Sequence, residues 1–163
     1  MDQEPKILII LGSASDLPII EDGVAFLRDF DVSFRVEISS AHRHPERTTM
    51  LAKQARSQGI EVIIAGAGLA AHLPGVVAAQ TSLPVIGLPL QGGVLAGVDA
   101  LLSIVQMPKG VPVATVGINS SRNAAILACQ ILGIKYPEMA SRLDALKERM
   151  KAEVEESAKN AII

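Results

Sequence analysis

Five short apolar runs recur along the chain, separated by longer segments of helical periodicity. The first run, residues 7–11, and most of the third, residues 62–64, are continuously apolar rather than alternating. Continuous apolar strands are typical of a parallel sheet that helices cover on both faces. The predicted strands are residues 7–11, 32–38, 60–65, 84–88 and 112–117.

The segments between the strands predict helices. Strands that alternate with helices indicate an α/β fold, here a three-layer α-β-α sandwich on a doubly wound parallel sheet. Because 163 residues is the size of one domain and no linker-like segment interrupts them, we expect a single domain over residues 1–163. The predicted helices are residues 17–29, 45–58, 73–81, 96–105 and 120–132.

A C-terminal helix is predicted at about residues 137–158. Its apolar residues recur every three or four positions among many charged ones, which is the pattern of a narrow apolar stripe. The stripe either packs on its own domain or reaches a neighbouring subunit. Its members are Met139, Leu143, Leu146, Met150 and Val154.

The composition favours self-association. Hydrophobic residues make up 49% of the chain and charged residues only 20%, so we predict a homo-oligomer that buries apolar surface between subunits. A net charge of −2 without a Lys/Arg cluster argues against nucleic-acid binding. Residues 62–79 are mostly apolar, but glycines, His72 and Pro74 interrupt them, and we predict no membrane span. The polar N-terminus lacks the features of a signal peptide, and we expect a cytoplasmic protein.

The loop after the first strand is the first candidate for ligand binding, because ligands of open parallel sheets bind beyond the carboxyl ends of the strands. Gly12 allows the backbone to come close to a ligand. The hydroxyls of Ser13 and Ser15, placed before a helix N-terminus, suit an anion such as phosphate. Asp16 is equally compatible with a simple N-cap.

The loop after the second strand carries two residues that suit chemistry. It ends at Pro45, which marks a helix start. Arg43 can bind a phosphate through its planar fork, and His42 can exchange a proton near neutral pH. Arg43 and His42 could equally be solvated loop residues, and His44 could be an exposed helix-cap residue.

The loop after the third strand is rich in glycine. Residues 66–71 match the pattern G-x-G-x-x-A, but they follow the third strand rather than the first and lack an acidic residue about 20 positions further on. We interpret the segment as backbone that must pass close to a small ligand. His72 is either a helix-start residue or a second polar group of the same pocket.

Metal and hydrolase chemistry lack supporting motifs. The chain has three histidines but no H-E-x-x-H pattern, no second cysteine and no carboxylate beside the histidines of the loops, so we predict no metal site. A G-x-S-x-G elbow is missing as well. Cys129 lies in an apolar run and is interpreted as a buried small side chain rather than a reactive thiol.

Taken together, the three loops resemble the PurE family, and the similarity extends from Lys6 to about Tyr136. The family isomerises N5-carboxyaminoimidazole ribonucleotide to 4-carboxyaminoimidazole ribonucleotide in one branch, and carboxylates aminoimidazole ribonucleotide with CO2 in the other. The loops here are similar to the mutase branch. The chain departs from the family pattern at Leu69, where a glycine is usual, at His44, where a threonine is common, and at residues 91–93. The motifs that carry the resemblance are Gly12-Ser13-x-Ser15-Asp16, Ser40-Ala41-His42-Arg43 and residues 65–75.

The resemblance implies a role for each matching residue. His42 would be the general acid/base, Ser13 and Arg43 would hold the substrate phosphate, and Asp16 would bind the ribose hydroxyls. It also implies a flavodoxin-like sheet, no cofactor, and assembly as an octamer. The base and carboxylate pocket would be lined by Ser40, Ala41, Gly68, Ala70, His72 and Leu73.

Two alternatives stay open at this stage. The nearer is the carboxylase that uses CO2 directly, which shares the fold and the residues. The other is a non-catalytic flavin or signalling module on a flavodoxin-like sheet. Aromatic residues make up only 2% of the chain, which disfavours a flavin site, and the first strand is followed by one acidic residue rather than a cluster.

Overall fold

The computed structural model describes residues 4–161. Within them, five parallel strands form one sheet in the order β2-β1-β3-β4-β5, which confirms the predicted α/β fold with a flavodoxin-like sheet. The strands are β1 (Ile7–Leu11), β2 (Phe34–Ile38), β3 (Val62–Gly68), β4 (Val85–Leu90) and β5 (Ala114–Thr115). The helices are α1 (Glu21–Asp29), α2 (Pro45–Gln54), α3 (Leu73–Ala78), α4 (Val98–Val105), α5 (Ser121–Gly133) and α6 (Pro137–Asn160).

The burial of the strands follows their hydrophobic pattern. Every residue of β1 and β4 is buried, and β3 is buried up to its last residue. The outer strand β2 alternates charged and apolar residues and is only half-buried. Its Glu37 carboxylate pairs with the Arg47 guanidinium at 2.8 Å. Continuous apolar runs therefore mark the centre of the sheet, and the alternating run marks its flank.

Several predicted boundaries differ from the observed ones, and β5 in particular covers only Ala114–Thr115 instead of residues 112–117. The helix expected from residue 17 begins as a 3₁₀ segment, Ala14–Ile20, which contains Pro18 and changes to the α-helix α1 at Glu21. Strand β3 runs three residues further than predicted, to Gly68, because Gly66 and Gly68 continue the parallel pairing with Leu88 and Leu90 of β4.

The strand order brings the loops of interest together. The chain passes from β1 to β2 on one side of β1 and then to β3 on the other side. This reversal is the topological switch point at which ligands bind in open α/β sheets. The loops that follow β1, β2 and β3 therefore meet at one edge of the sheet.

The residue contacts divide the chain into two compact units, residues 1–128 and 129–163. The first unit contains the whole sheet and helices α1 to α4. In the second, Pro137 starts α6, in which Met139, Leu143 and Leu146 are buried while Met150 and Val154 are exposed. The single domain expected over residues 1–163 stays a prediction.

Cys129 is buried, as expected, and burial raises the pKa of its thiol to about 12.

Helix α4 and the turn before it carry an exposed apolar stripe. Val94 is fully exposed, and about half of the surface of each other member is exposed. Val98, Leu102 and Val105 recur every three or four residues and share one face of the helix, and Leu95 precedes them at the same spacing. The stripe consists of Val94, Leu95, Val98, Leu102 and Val105.

No helix among residues 4–161 combines the length and the apolar character that crossing a membrane requires.

Candidate functional site

A cavity of about 550 Å³ lies where the loops after β1, β2, β3 and β4 meet. Its size suits a small-molecule ligand. All twelve residues named as site candidates from the sequence line it, although they come from three loops far apart in the chain. Their individual roles stay predictions. These lining residues are Gly12, Ser13, Ser15, Asp16, Ser40, Ala41, His42, Arg43, Gly68, Ala70, His72 and Leu73.

The loop after β1 is ordered by its own hydroxyl and carboxylate groups. Ser13 is the N-cap of the 3₁₀ segment, and its Oγ accepts hydrogen bonds from the Ser15 backbone N–H at 3.3 Å and the Ser15 hydroxyl at 2.8 Å. The Asp16 carboxylate accepts from the Ser13 backbone N–H at 3.1 Å. Asp16 is therefore the third residue of a capping box rather than the N-cap that the sequence suggested.

Asp16 is held in a partly desolvated position. Burial raises the pKa of its carboxyl group above the ordinary value, and hydrogen bonds from the Ser13 backbone and the Ser15 side chain oppose the change. A partly desolvated carboxylate is stabilised by accepting further hydrogen bonds. The arrangement therefore suits a ligand that brings hydroxyl groups to Asp16.

Arg43 joins the first loop to the second. Its Nη2 donates to the Gly12 carbonyl oxygen at 3.2 Å, and its backbone N–H donates to the Ser40 hydroxyl at 3.3 Å. The guanidinium thus lies beside the loop that carries the Ser13 and Ser15 hydroxyls. A cation, two hydroxyls and the start of a helical segment form a corner of the cavity that suits a phosphate group.

The two histidines of the cavity stack on each other. The ring centroids of His42 and His72 are 3.7 Å apart, with 28° between the ring planes. His42 is exposed on the cavity side, and His72 is half-buried at the start of α3. Burial lowers the pKa of His72, and the nearby charge of His42 lowers it further. His72 is therefore both the residue at which α3 starts and a polar side chain that lines the cavity, so the two positions considered for it are combined.

His44 lies outside this cavity and has a structural position. It is the N-cap of α2, and its ring Nδ1 accepts a hydrogen bond from the Arg47 backbone N–H at 3.4 Å. Among residues 4–161, no group of three or more His, Cys, Asp or Glu side chains is placed to hold a metal ion.

The glycines after Ala65 serve strand packing more than ligand approach. A Cβ at Gly66 would lie 2.8 Å from Leu11 Cδ2, and one at Gly68 would lie 3.2 Å from the Leu90 carbonyl oxygen. The interpretation of the whole segment as a loop was therefore wrong at its start, where it is still strand β3. From Leu69 onward it is a tight loop, in which Ala71 N–H donates to the Leu69 carbonyl at 2.8 Å.

The sequence reasoning missed a fourth loop, which follows β4. Gln91, Gly92 and Gly93 line the cavity opposite the loop of Leu69. The rule used for the other loops would have found them, because β4 lies beside β3 and ends at the same edge of the sheet. The other lining residues that were not predicted as site residues are Ile19, Ala67, Leu69, Ala71 and Leu90.

The fold and the cavity define a doubly wound α/β protein with a polar cavity at its switch point, one corner of which suits a phosphate group. The chain belongs to the AIR carboxylase family, whose sequence profile matches residues 6–153. This confirms the resemblance to PurE proteins.

Individual relatives agree with this assignment. The chain is 57% identical over 154 residues to the N5-carboxyaminoimidazole ribonucleotide mutase of Thermotoga maritima, covering 94% of this chain and 90% of that protein. It is 53% identical over 156 residues to the phosphoribosylaminoimidazole carboxylase of Schizosaccharomyces pombe, covering 96% of this chain but 28% of that longer protein. A crystal structure of PurE from Treponema denticola superposes with a TM-score of 0.88 at 26% identity, covering 98% of this chain and 99% of that one.

Proposed function

We propose that this protein converts N5-carboxyaminoimidazole ribonucleotide to 4-carboxyaminoimidazole ribonucleotide, with His42 as the general acid/base. The high identity to mutases of similar length supports the activity. The observation that carries the proposed mechanism is the imidazole of His42, exposed in a cavity that has, at another corner, a guanidinium and two hydroxyl groups. A proton donor and acceptor is thereby within the reach of a ribonucleotide's base.

The phosphate of the substrate binds at the corner formed by Ser13 and Arg43. There the Ser13 hydroxyl and the Arg43 guanidinium donate hydrogen bonds to phosphate oxygens. The guanidinium is oriented by the hydrogen bond that its Nη2 donates to the Gly12 carbonyl oxygen at 3.2 Å. The ribose hydroxyls donate to Asp16, whose carboxylate is oriented by its hydrogen bond from Ser13 N–H. The ribonucleotide is thus held at the end remote from the reaction, and this binding energy orients the base.

The base and its carboxyl group occupy the opposite part of the cavity. Small side chains and backbone form most of its wall, and His72 contributes the polar group beside His42. Burial, and then the neighbouring His42, lower the pKa of His72, so its imidazolium is a less available proton donor than that of an unperturbed histidine. The remaining wall residues in this role are Ser40, Ala41, Gly68, Ala70 and Leu73.

The reaction needs two proton transfers and no net change of oxidation state. The carbamate C–N bond breaks as CO2 leaves, and the exocyclic nitrogen receives a proton from the His42 imidazolium. The ring carbon then forms a C–C bond to the same CO2, and the neutral imidazole takes the proton from that carbon. One side chain therefore serves as acid and then as base, an effect worth about 10²–10⁴ in rate. The reaction in this form requires no cofactor or metal.

The assay that tests the proposal supplies the purified protein with each possible substrate separately. We expect rapid formation of 4-carboxyaminoimidazole ribonucleotide from the N5-carboxy compound, and little from aminoimidazole ribonucleotide with bicarbonate. The second candidate is the direct carboxylase, because the chain is also 53% identical to part of a carboxylase. Turnover of aminoimidazole ribonucleotide with bicarbonate alone would replace the mutase by that carboxylase.

We also propose that the protein is a cytoplasmic homo-octamer. The exposed apolar stripe of α4 supports self-association, because contiguous apolar surface of this kind marks an interaction site. A second copy of the chain is the proposed occupant, in line with the apolar composition of the whole sequence. Sedimentation velocity of the purified protein tests the assembly, and a stable monomer would contradict it.

A further inference from the structure

Two hydroxyl groups are buried at the base of the loop that carries His42. Ser39 is 2% exposed and Thr48 is fully buried, and their side-chain oxygens are joined by a hydrogen bond of 2.8 Å. Neither residue lines the cavity. A buried hydroxyl pair must stay hydrogen-bonded to be tolerated, whereas two apolar side chains of the same shape would be about as stable. Packing alone therefore does not account for the pair.

The hydrogen bond joins the two ends of the His42 loop. Ser39 directly follows β2, and its backbone N–H donates to the Leu11 carbonyl oxygen at 2.8 Å, which fixes it to the central strand β1. Thr48 lies in the first turn of α2, and its hydroxyl donates to the His44 carbonyl oxygen at 3.5 Å. Because the Thr48 hydroxyl has a single proton, the Ser39 hydroxyl is the donor between the two side chains.

The His42 ring depends on this loop for its position. The ring stacks on His72, and no hydrogen bond to it is present among residues 4–161. At the far end of the loop, α2 packs on the sheet through apolar residues such as Leu51 and Ala52. Apolar packing is non-directional, so it does not by itself fix how far α2 lies along the sheet.

A second connection between β2 and α2 runs closer to solvent. Arg47 Nη2 donates to a Glu37 carboxylate oxygen at 2.8 Å, and Arg47 Nε donates to the Ile38 carbonyl oxygen at 3.2 Å. The Arg47 side chain is 40% exposed, and ion pairs in contact with water contribute little. The buried bond between Ser39 and Thr48 does not compete with water and is the stronger constraint on the loop.

We propose that Ser39 and Thr48 are positioning residues, whose buried hydrogen bond sets the place of the His42 imidazole in the cavity. This inference rests on the proposed function, in which His42 is the general acid/base. A buried polar pair selects one arrangement of two packed elements where apolar contacts permit several. A displacement of about 1 Å at a reacting group costs up to about 10²-fold in rate. The pair thus acts on the proton transfers without touching the substrate.

The experiment removes both hydroxyls in the double variant Ser39→Ala/Thr48→Val. Since this variant leaves no buried hydroxyl unpaired, its melting temperature should stay close to that of the wild type. We expect kcat at 25 °C to fall about tenfold, because His42 is displaced from the reacting atoms. KM should change little, because Arg43 stays attached to the first loop through the Gly12 carbonyl oxygen.

Two single variants separate the hydrogen bond from packing. Thr48→Ser keeps the hydroxyl and loses only a methyl group, so kcat should return to the wild-type value. Thr49→Val is the matched control, because it makes the same change at the next position of α2, where the threonine is only half-buried. It should leave kcat unchanged. A Thr48→Ser variant as slow as the double variant would overturn the inference, because volume rather than the hydroxyl would then matter.

The NMR resonances of the two stacked rings give a readout that does not need the reaction. The ring signals of His42 and His72 should shift in the double variant and keep their wild-type positions in Thr48→Ser and Thr49→Val. Wild-type kcat or unchanged ring signals in the double variant would each overturn the inference. A wild type that does not turn over the N5-carboxy substrate would remove the proposed function, and the ring signals would then decide the positioning role by themselves.

Discussion

Replacing His42 by asparagine tests the proposed acid/base directly. Asparagine keeps a polar side chain of similar reach, but it cannot exchange a proton near neutral pH. Since general acid–base catalysis contributes about 10²–10⁴ in rate, we expect kcat to fall by about that factor. The corresponding increase in the activation free energy is about 3–5 kcal/mol. KM should change little, because the phosphate and the ribose are held by other residues.

The stacking of His42 on His72 leads to a second prediction, which concerns the pKa of His72. Two imidazolium charges 3.7 Å apart repel each other by about 1 kcal/mol in bulk water and about 4 kcal/mol at an effective dielectric constant near 20. The pair therefore resists carrying two protons. In His42→Asn this repulsion is lost, so the pKa of His72 rises toward its ordinary value of 6.5. It stays below that value because burial, the larger cause, remains.

The assay combines steady-state turnover with an NMR titration of the His72 ring. His44→Asn is the matched control, since His44 lies outside the cavity and asparagine also caps a helix well. We expect this control to retain full activity. Near-wild-type turnover by His42→Asn would refute the acid/base assignment. A pKa of His72 that does not respond to the substitution would refute the electrostatic coupling of the two rings.

Three further predictions address stability and assembly. Gly23→Ala should lower the free energy of unfolding by about 1 kcal/mol or more in urea titrations, because the new Cβ would lie 2.6 Å from the Ser121 carbonyl oxygen; equal or greater stability contradicts this packing. The free energy of unfolding should fall as the pH is lowered through 6.5, because His72 is protonated more readily in the unfolded chain than in the folded one. His72→Asn should reduce this pH dependence, and an unchanged pH dependence in that variant would contradict the assignment to His72. Leu102→Asp on the α4 stripe should dissociate the proposed oligomer in sedimentation velocity, and an unchanged mass would exclude this face as the interface.

The sequence alone was sufficient for the fold class and for most of the cavity lining. Continuous apolar runs identify buried parallel strands, and the carboxyl ends of such strands meet at one edge. Polar residues that follow those runs, such as Ser13, Arg43 and His72, could therefore be expected in one site. These expectations use local periodicity and one general rule of topology, so they need no knowledge of individual contacts, whereas Ser40, Ala41 and Leu73 were expected in the pocket only from the resemblance to the PurE family.

Tertiary structure decided the relations between residues that are distant in the chain. Only the register of β3 against β4 shows that Gly66 and Gly68 belong to a strand, and only the folded loops place Leu69 against Gly93. The stacking of His42 on His72 likewise depends on the relative height of two loops. Periodicity reports which face of an element is buried, whereas distances between side chains of different elements depend on register and packing, which the whole fold determines.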